Sequence, residues 1–176
     1  MPTSIDIRAS APHDLASIEA LYADAFPDED LIPLIRELLD APSDVLSLVA
    51  ERDGQTVGHL CLTSATIEGC RQDAALLGPL AVASAAQRQG IGAALVRDGV
   101  SRLAEQGVDW LCVLGDPAYY GRFGFVADTA IEPPYPLAAQ WRSAWQSLPL
   151  RPSSQIPRGS RLVLPALWMR PSLWAP

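Results

Sequence analysis

Lysine is missing altogether: all 13 basic residues of the 176-residue chain are arginines. A P-loop lysine and any chemistry through a lysine Schiff base are thereby excluded. Cysteine is scarce. Cys61, Cys70 and Cys112 form an odd set without metal-ligand spacing, and two of them fall in runs that read as strands, so reduced, buried thiols are expected and no metal centre. Histidine occurs only as His13 and His59. His59 alternates with Val57 and Cys61 along one strand face, which reads as a hydrogen-bonded structural residue before it reads as a base. No apolar run approaches the roughly 20 residues that span a bilayer. Met1 to Asp6 carries neither a basic start nor an apolar stretch, so no signal peptide is expected and the cytoplasm is the expected compartment. Positive charge is in deficit too, with a net charge of −7. That argues against nucleic acid, whose affinity rests on neutralised phosphates, and suits a cationic or amine-bearing partner.

What is present is a core. Hydrophobic residues make up 49% of the chain and charged ones 19%, which fits a single domain over residues 1–176. Ser4 to Arg8 reads as a first strand. Asp14 is placed to cap a helix with Leu15, Ile18, Tyr22 and Ala25 on its apolar face. Pro27-Asp28-Glu29-Asp30 breaks that helix, either as a solvated loop or as the rim of a pocket for a positively charged substrate. Leu31, Leu34, Ile35 and Leu38 give a second helix. Strands at 45–51 and 57–66 flank Asp53-Gly54, a hairpin signal. Residues 74–82 are apolar on both parities, as in a strand covered on both faces. Pro79 cannot donate to a ladder, so Gly78-Pro79 predicts a break in pairing there, freeing main-chain groups of Leu80, Ala81 and Val82 for a ligand.

Gln87-Arg88-Gln89-Gly90-Ile91-Gly92-Ala93 follows, and then a helix from 92 to 106 with Leu95, Gly99 and Leu103 inward. A glycine turn between strand and helix start turns backbone N–H groups into an anion cradle. Spacing alone does not separate a phosphate-bearing ligand from a turn that merely packs helix on strand. A dinucleotide fingerprint fits poorly, because Leu95 stands where its third glycine belongs and Asp109 begins the next strand. Residues 108–114 complete a strand–helix–strand unit, 118–122 form one helical turn, and Phe123 to Val126 begins another strand. Beyond Thr129, Pro133 to Pro136 reads as a linker, 137–141 as a helical turn, and 144–150 and 161–164 as strands. Trp141, Trp145, Trp168 and Trp174 cluster in this tail as core filling, a substrate-side wall or a subunit interface such as a homodimer's.

Leu80-Ala81-Val82 followed by Gln87-x-x-Gly90-x-Gly92 resembles the acetyl-CoA-binding signature of the GNAT superfamily of N-acetyltransferases. Leu114-Gly115-Asp116-Pro117-Ala118-Tyr119-Tyr120-Gly121-Arg122-Phe123-Gly124-Phe125 resembles the second signature of that superfamily, in a form similar to a bacterial subgroup of predicted acetyltransferases. The resemblance covers a core over residues 1–127, with residues 128–176 divergent. It implies an α/β, layered α+β fold: a mixed, splayed, mostly antiparallel sheet with helices on both faces. It further implies acetyl-CoA as co-substrate, its pantetheine arm paired near Leu80 to Val82 and its pyrophosphate held by amides from Arg88 to Ala93 (Arg88, Gln89, Gly90, Ile91, Gly92, Ala93), with Gln87 at the first motif position. Tyr120 matches the tyrosine that protonates the departing thiolate.

The implied activity is acetyl transfer directly to a primary amine of a small molecule or protein. The alternative is an acyl-CoA-binding or interaction module without turnover; transfer to a hydroxyl, or thioesterase chemistry, ranks below both. Two departures from the pattern stand out. Arg88 replaces a common glycine, and residues 74–82 contain no carboxylate, which leaves the base open among an ordered water, Asp73, Asp116 or no protein group.

Overall fold

The computed structural model describes residues 3–127, 130–152 and 155–175. Its elements run β1 (Asp6–Ala9), α1 (Leu15–Ala25), α2 (Ile32–Leu39), β2 (Val45–Arg52), β3 (Gln55–Ile67), β4 (Asp73–Val82), α3 (Ile91–Glu105), β5 (Trp110–Leu114), α4 (Pro117–Tyr120), β6 (Ile131–Glu132), β7 (Trp145–Pro149) and β8 (Ser160–Val163). Strand pairing follows β1-β2-β3-β4-β5-β7, while β8 pairs with β3 and β6. The β1–β2, β3–β8 and β5–β7 pairs are antiparallel; β4–β5, bridged by α3, and β6–β8 are parallel. The sheet is mixed and mostly antiparallel, as expected. Asp53 and Gly54 both take positive φ, 53° and 75°, the geometry of a two-residue hairpin turn between β2 and β3.

The β4–β5 register runs from Ala74↔Trp110 to Leu77↔Val113. β4 itself continues to Val82. The ladder therefore stops where Gly78-Pro79 predicted it: Gly78 takes a φ of 137°, closed to most side chains, and Pro79 has no N–H to give.

Contacts divide the chain into two compact units, residues 1–62 with 79–99, and residues 63–78 with 100–176. In the first, Ile18, Tyr22, Ile35, Leu38, Leu48, Leu60, Ile91 and Leu95 are at most 1% exposed; burying each large apolar side chain contributes about 1.5–3 kcal/mol. The start of α3 lies tight against β3 because Gly58 has no side chain. A Cβ there would stand 2.9 Å from both Ile91 Cγ2 and Leu95 Cδ1. Gly99, further along α3, allows a similar approach to Leu62 and Leu60.

In the second unit the core holds Ile67, Leu111, Val113, Ile131, Leu162 and three tryptophans. The indole N–H groups of Trp145, Trp168 and Trp174 donate to Ile131 O, Thr63 Oγ1 and Trp168 O at 2.8, 3.0 and 2.9 Å. For these three, core filling is the reading that holds; Trp141 remains 38% exposed.

Three local expectations are corrected. Asp14 does not cap α1. It closes the preceding 3-10 turn, Pro12–Asp14, by accepting from Ala11 N at 2.6 Å, and it takes a two-pronged bond from Arg8 at 2.8 Å on each oxygen. The arginine wins because a charge-assisted fork is stronger than one capping bond. Phe123 to Val126 is no strand: residues Gly121–Phe123 form a 3-10 turn, Gly124 turns the chain at φ 94°, and Val126 makes one isolated bridge to Ser147. The tail also contains the short strand β6, hidden by the prolines that follow it. The helical turn expected at 137–141 is a 3-10 segment, Ala139–Ala144.

Gly58→Val is expected to lower unfolding free energy by about 1–3 kcal/mol through overpacking against Ile91 and Leu95. A denaturant titration with unchanged slope checks it; wild-type stability in the variant would contradict the packing account.

Candidate functional site

The glycine turn is held from three directions within the first unit. At the end of β4, Ala83 N donates to Val57 O at 2.9 Å. Ser84 N and Oγ donate to Asp24 Oδ2 and O of α1 at 2.7 and 3.2 Å. Arg52 Nη1 of β2 donates to Gln89 Oε1 at 2.6 Å, and Gln89 Nε2 donates to Ala85 O at 3.3 Å. Gln87, the first motif residue, folds back so that its Nε2 donates to Val82 O at 3.3 Å. That bond engages one of the main-chain carbonyls the sequence left for a ligand. Leu80 and Val82 are half-buried and Ala81 is buried.

Two left-handed residues shape the turn. Arg88 has φ 60° and Gly90 φ 82°. Arg88 pays the usual penalty of a non-glycine residue there, about 1–2 kcal/mol, which explains why glycine is the common choice at this motif position. A Cβ on Gly90 would meet nothing within 4 Å, so conformation, not crowding by the protein, demands that glycine. The first intrahelical bond of α3 is Ala94 N to Gly90 O at 3.0 Å. The amides of Ile91, Gly92 and Ala93 precede it and have no acceptor within the helix. Residues 87–90 are exposed while Ile91, Gly92 and Ala93 are buried. This is a fixed row of N–H donors at a helix start, fit for a polyphosphate.

Tyr120 lies in the second unit, at the end of α4. Asp116 caps that helix, its Oδ1 accepting from Ala118 N at 2.9 Å. The phenol ring stacks over Gly115, where any Cβ would overlap it. It also sits edge-on to Tyr119 and Phe125, at centroid separations of 5.0 and 5.7 Å. Burial first, and Tyr119 second, push the Tyr120 hydroxyl above the ordinary tyrosine range, so the phenol keeps its proton at neutral pH. Of the open carboxylates, Asp116 is committed to its cap and Asp73 is exposed at the start of β4.

The acidic break between α1 and α2 does rim a cavity, about 390 Å³, lined by Tyr22, Phe26, Asp28, Glu29, Asp30 and Leu31 among others. His59 is fully buried. Its Nδ1 meets Tyr22 Oη at 2.9 Å and its Nε2 meets Ser47 Oγ at 2.7 Å. Burial pushes its pKa down to about 3 against a weaker opposing pull from Asp14, so it is a neutral structural residue. Sequence reasoning missed this relay as well as the Asp24, Arg52 and Gly58 supports, because each partner is remote in the chain.

With the geometry in hand, likeness to known proteins identifies the class. The family model of the acetyltransferase (GNAT) family matches residues 15–125. An Escherichia coli protein named as an uncharacterized N-acetyltransferase, YjhQ, is 35% identical over 149 residues, covering 79% of this chain and 82% of its own. The crystal structure of the GNAT family N-acetyltransferase YhbS from Escherichia coli, in complex with CoA, is similar with a TM-score of 0.85 at 27% identity, covering 97% of this chain and 94% of that one. A GNAT family acetyltransferase from Brucella melitensis, in complex with acetyl-CoA, is similar at TM-score 0.73 and 30% identity, covering 94% and 99%. The fold is that of an acyl-CoA acyltransferase. The chain belongs to the GNAT family of acetyltransferases, and it is an acyltransferase. Among the described residues, no helix is long and apolar enough to cross a membrane.

The buried imidazole makes stability pH-dependent. With a folded pKa of about 3 against 6.5 for the free side chain, the unfolded state alone takes up the proton as pH falls below 6.5. Stability therefore drops by about 1.4 kcal/mol per pH unit from that single group. Asp14, held at about 2 by Arg8, adds its own loss only below about pH 4. Urea melts between pH 6 and 4 are expected to show the first slope in the wild type and a shallower one in His59→Gln.

Proposed function

We propose that this protein is an acetyl-CoA-dependent N-acetyltransferase that moves the acetyl group directly onto a primary amine. The observation carrying this reading is the row of amides before Ala94, on a turn that Asp24, Arg52 and Val57 fix in place. Relatives of the same fold, crystallised with CoA and acetyl-CoA, support it. The pyrophosphate is assigned to the amides of Arg88, Gln89, Gly90, Ile91, Gly92 and Ala93. The pantetheine arm is assigned to main-chain groups of Leu80, Ala81 and Val82, with Gln87 bracing the turn through Val82.

In the reaction, the amine lone pair attacks the thioester carbonyl, a C–N bond forms, and the C–S bond breaks as the tetrahedral intermediate collapses. The amine loses one proton and the thiolate gains one. Tyr120 is assigned as the donor to sulfur. A phenol held above its usual pKa is a weaker acid than a thiol of about 8.5, so it gives up its proton as one returns from the amine side. Fixing both reactants in register supplies several kcal/mol of the barrier reduction, with about 7–11 the ideal.

The acceptor is an amine, small or borne on a protein, that is cationic in solution and gives up one proton to water before its lone pair attacks. Supporting this are the acidic rim of the cavity between α1 and α2, with Asp28, Glu29 and Asp30, and the net charge of −7. Calorimetry with CoA, followed by thiol release from acetyl-CoA over an amine panel, tests the reading. Gly90→Val, which needs a positive φ and adds bulk at the turn, is expected to weaken CoA binding about tenfold or more. Tyr120→Phe is expected to lower kcat by about 100-fold or more at unchanged CoA affinity. Tight CoA binding with no turnover on any amine would replace the enzyme reading by a binding module.

A further inference from the structure

A second cavity of about 580 Å³ lies in the first unit, between the segment after β1, helix α2 and the start of β2. It shares no residue with the glycine turn or with the cavity of the acidic loop. Its size falls within the range of small-molecule sites. The walls are apolar, with Leu15, Leu38, Leu39, Val45 and Leu46, and Leu15 leaves 38% of its surface exposed. Against them stand two hydroxyls of the lining, Ser10 and Ser47, whose Oγ atoms are 2.7 Å apart.

Behind Ser47 the hydroxyl chain continues through His59 to Tyr22. A serine on a histidine oriented by a third group is the pattern of an activated nucleophile. Here it lacks the basicity. Burial holds the imidazole well below its ordinary range, so it stays neutral and is a poor base at neutral pH. The chain orients hydroxyls; it does not ionise them. Ser47 already meets His59 and Ser10, whereas Ser10 Oγ spends one of a hydroxyl's three hydrogen-bonding positions on Ser47 among the described contacts.

The charges nearby are paired or open to water. Arg36, on the lining, is paired with Glu19, and Asp40, at the same mouth, is exposed to solvent, which screens its charge. Arg8 is shared between Asp14 and Glu51. Against the Ser10–Ser47 pair an ionised ligand would lose its hydration and find only neutral hydroxyls.

We infer that this cavity is a second ligand site, taking a small uncharged molecule with a compact apolar body and one hydroxyl or carbonyl group that pairs with Ser10. Cyclohexanol is the probe, titrated into the full chain and followed by amide chemical shifts, with cyclohexanecarboxylate and cyclohexylammonium as charged counterparts. Shifts are expected at Ser10, Leu39 and Ser47 with cyclohexanol and not with either ion. They are expected equally with and without CoA, so that failure of the acetyl-CoA assignment leaves this result standing. Ser10→Ala, at a half-exposed position, is expected to weaken cyclohexanol about fivefold, and Leu39→Trp to abolish it by filling the cavity, both at wild-type melting temperature. No shifts in this set, equal shifts with the charged probes, or binding that survives Leu39→Trp would each overturn the proposal.

Discussion

Everything that makes the amide row usable depends on one close approach, that of α3 to β3 across Gly58. Remove the Cβ from one strand position and a helix start comes to rest directly on the sheet; the turn before it is then short enough to be tied by Val57, Asp24 and Arg52. Those ties matter because helix N-terminal amides bind an anion well only when they are already aligned. Gly90 contributes its conformation and Gly58 contributes room. The two glycines do different physical jobs.

The second constraint lies in β4. Its first half is a buried, paired, parallel strand, and its pairing with β5 ends at a glycine–proline step. Beyond that step the Gln87 side chain meets the Val82 carbonyl. The first signature residue thus acts on the main chain of the neighbouring strand as well as on its own turn.

Much of this was legible from residue order. The β2–β3 hairpin, the strand–helix–strand unit, the break at Pro79 and the turn at Gly90 are local, each set by residues within a few positions of one another, and local chemistry is what a sequence displays. What could not be read is non-local or decided by competition. Asp14 has the look of a helix cap, but Arg8 outbids the α1 amides for its carboxylate. Phe123 to Val126 has the composition of a strand, and Gly124 turns it aside. The His59 relay joins residues 10, 22, 47 and 59, and no spacing rule connects them. Three tryptophans of the tail, Trp145, Trp168 and Trp174, were ambiguous until each indole N–H had a named acceptor.

Arg8 and Arg36 carry one more implication. The ion pairs that tie β1 to the turn ahead of α1, and α1 to α2, are made with guanidinium groups in a chain that has no ε-amine at all. A guanidinium stays protonated and is no nucleophile at physiological pH. An enzyme working beside an activated acetyl donor thus has no lysine side chain of its own to modify, and its structural cations are chemically deaf to its own reagent.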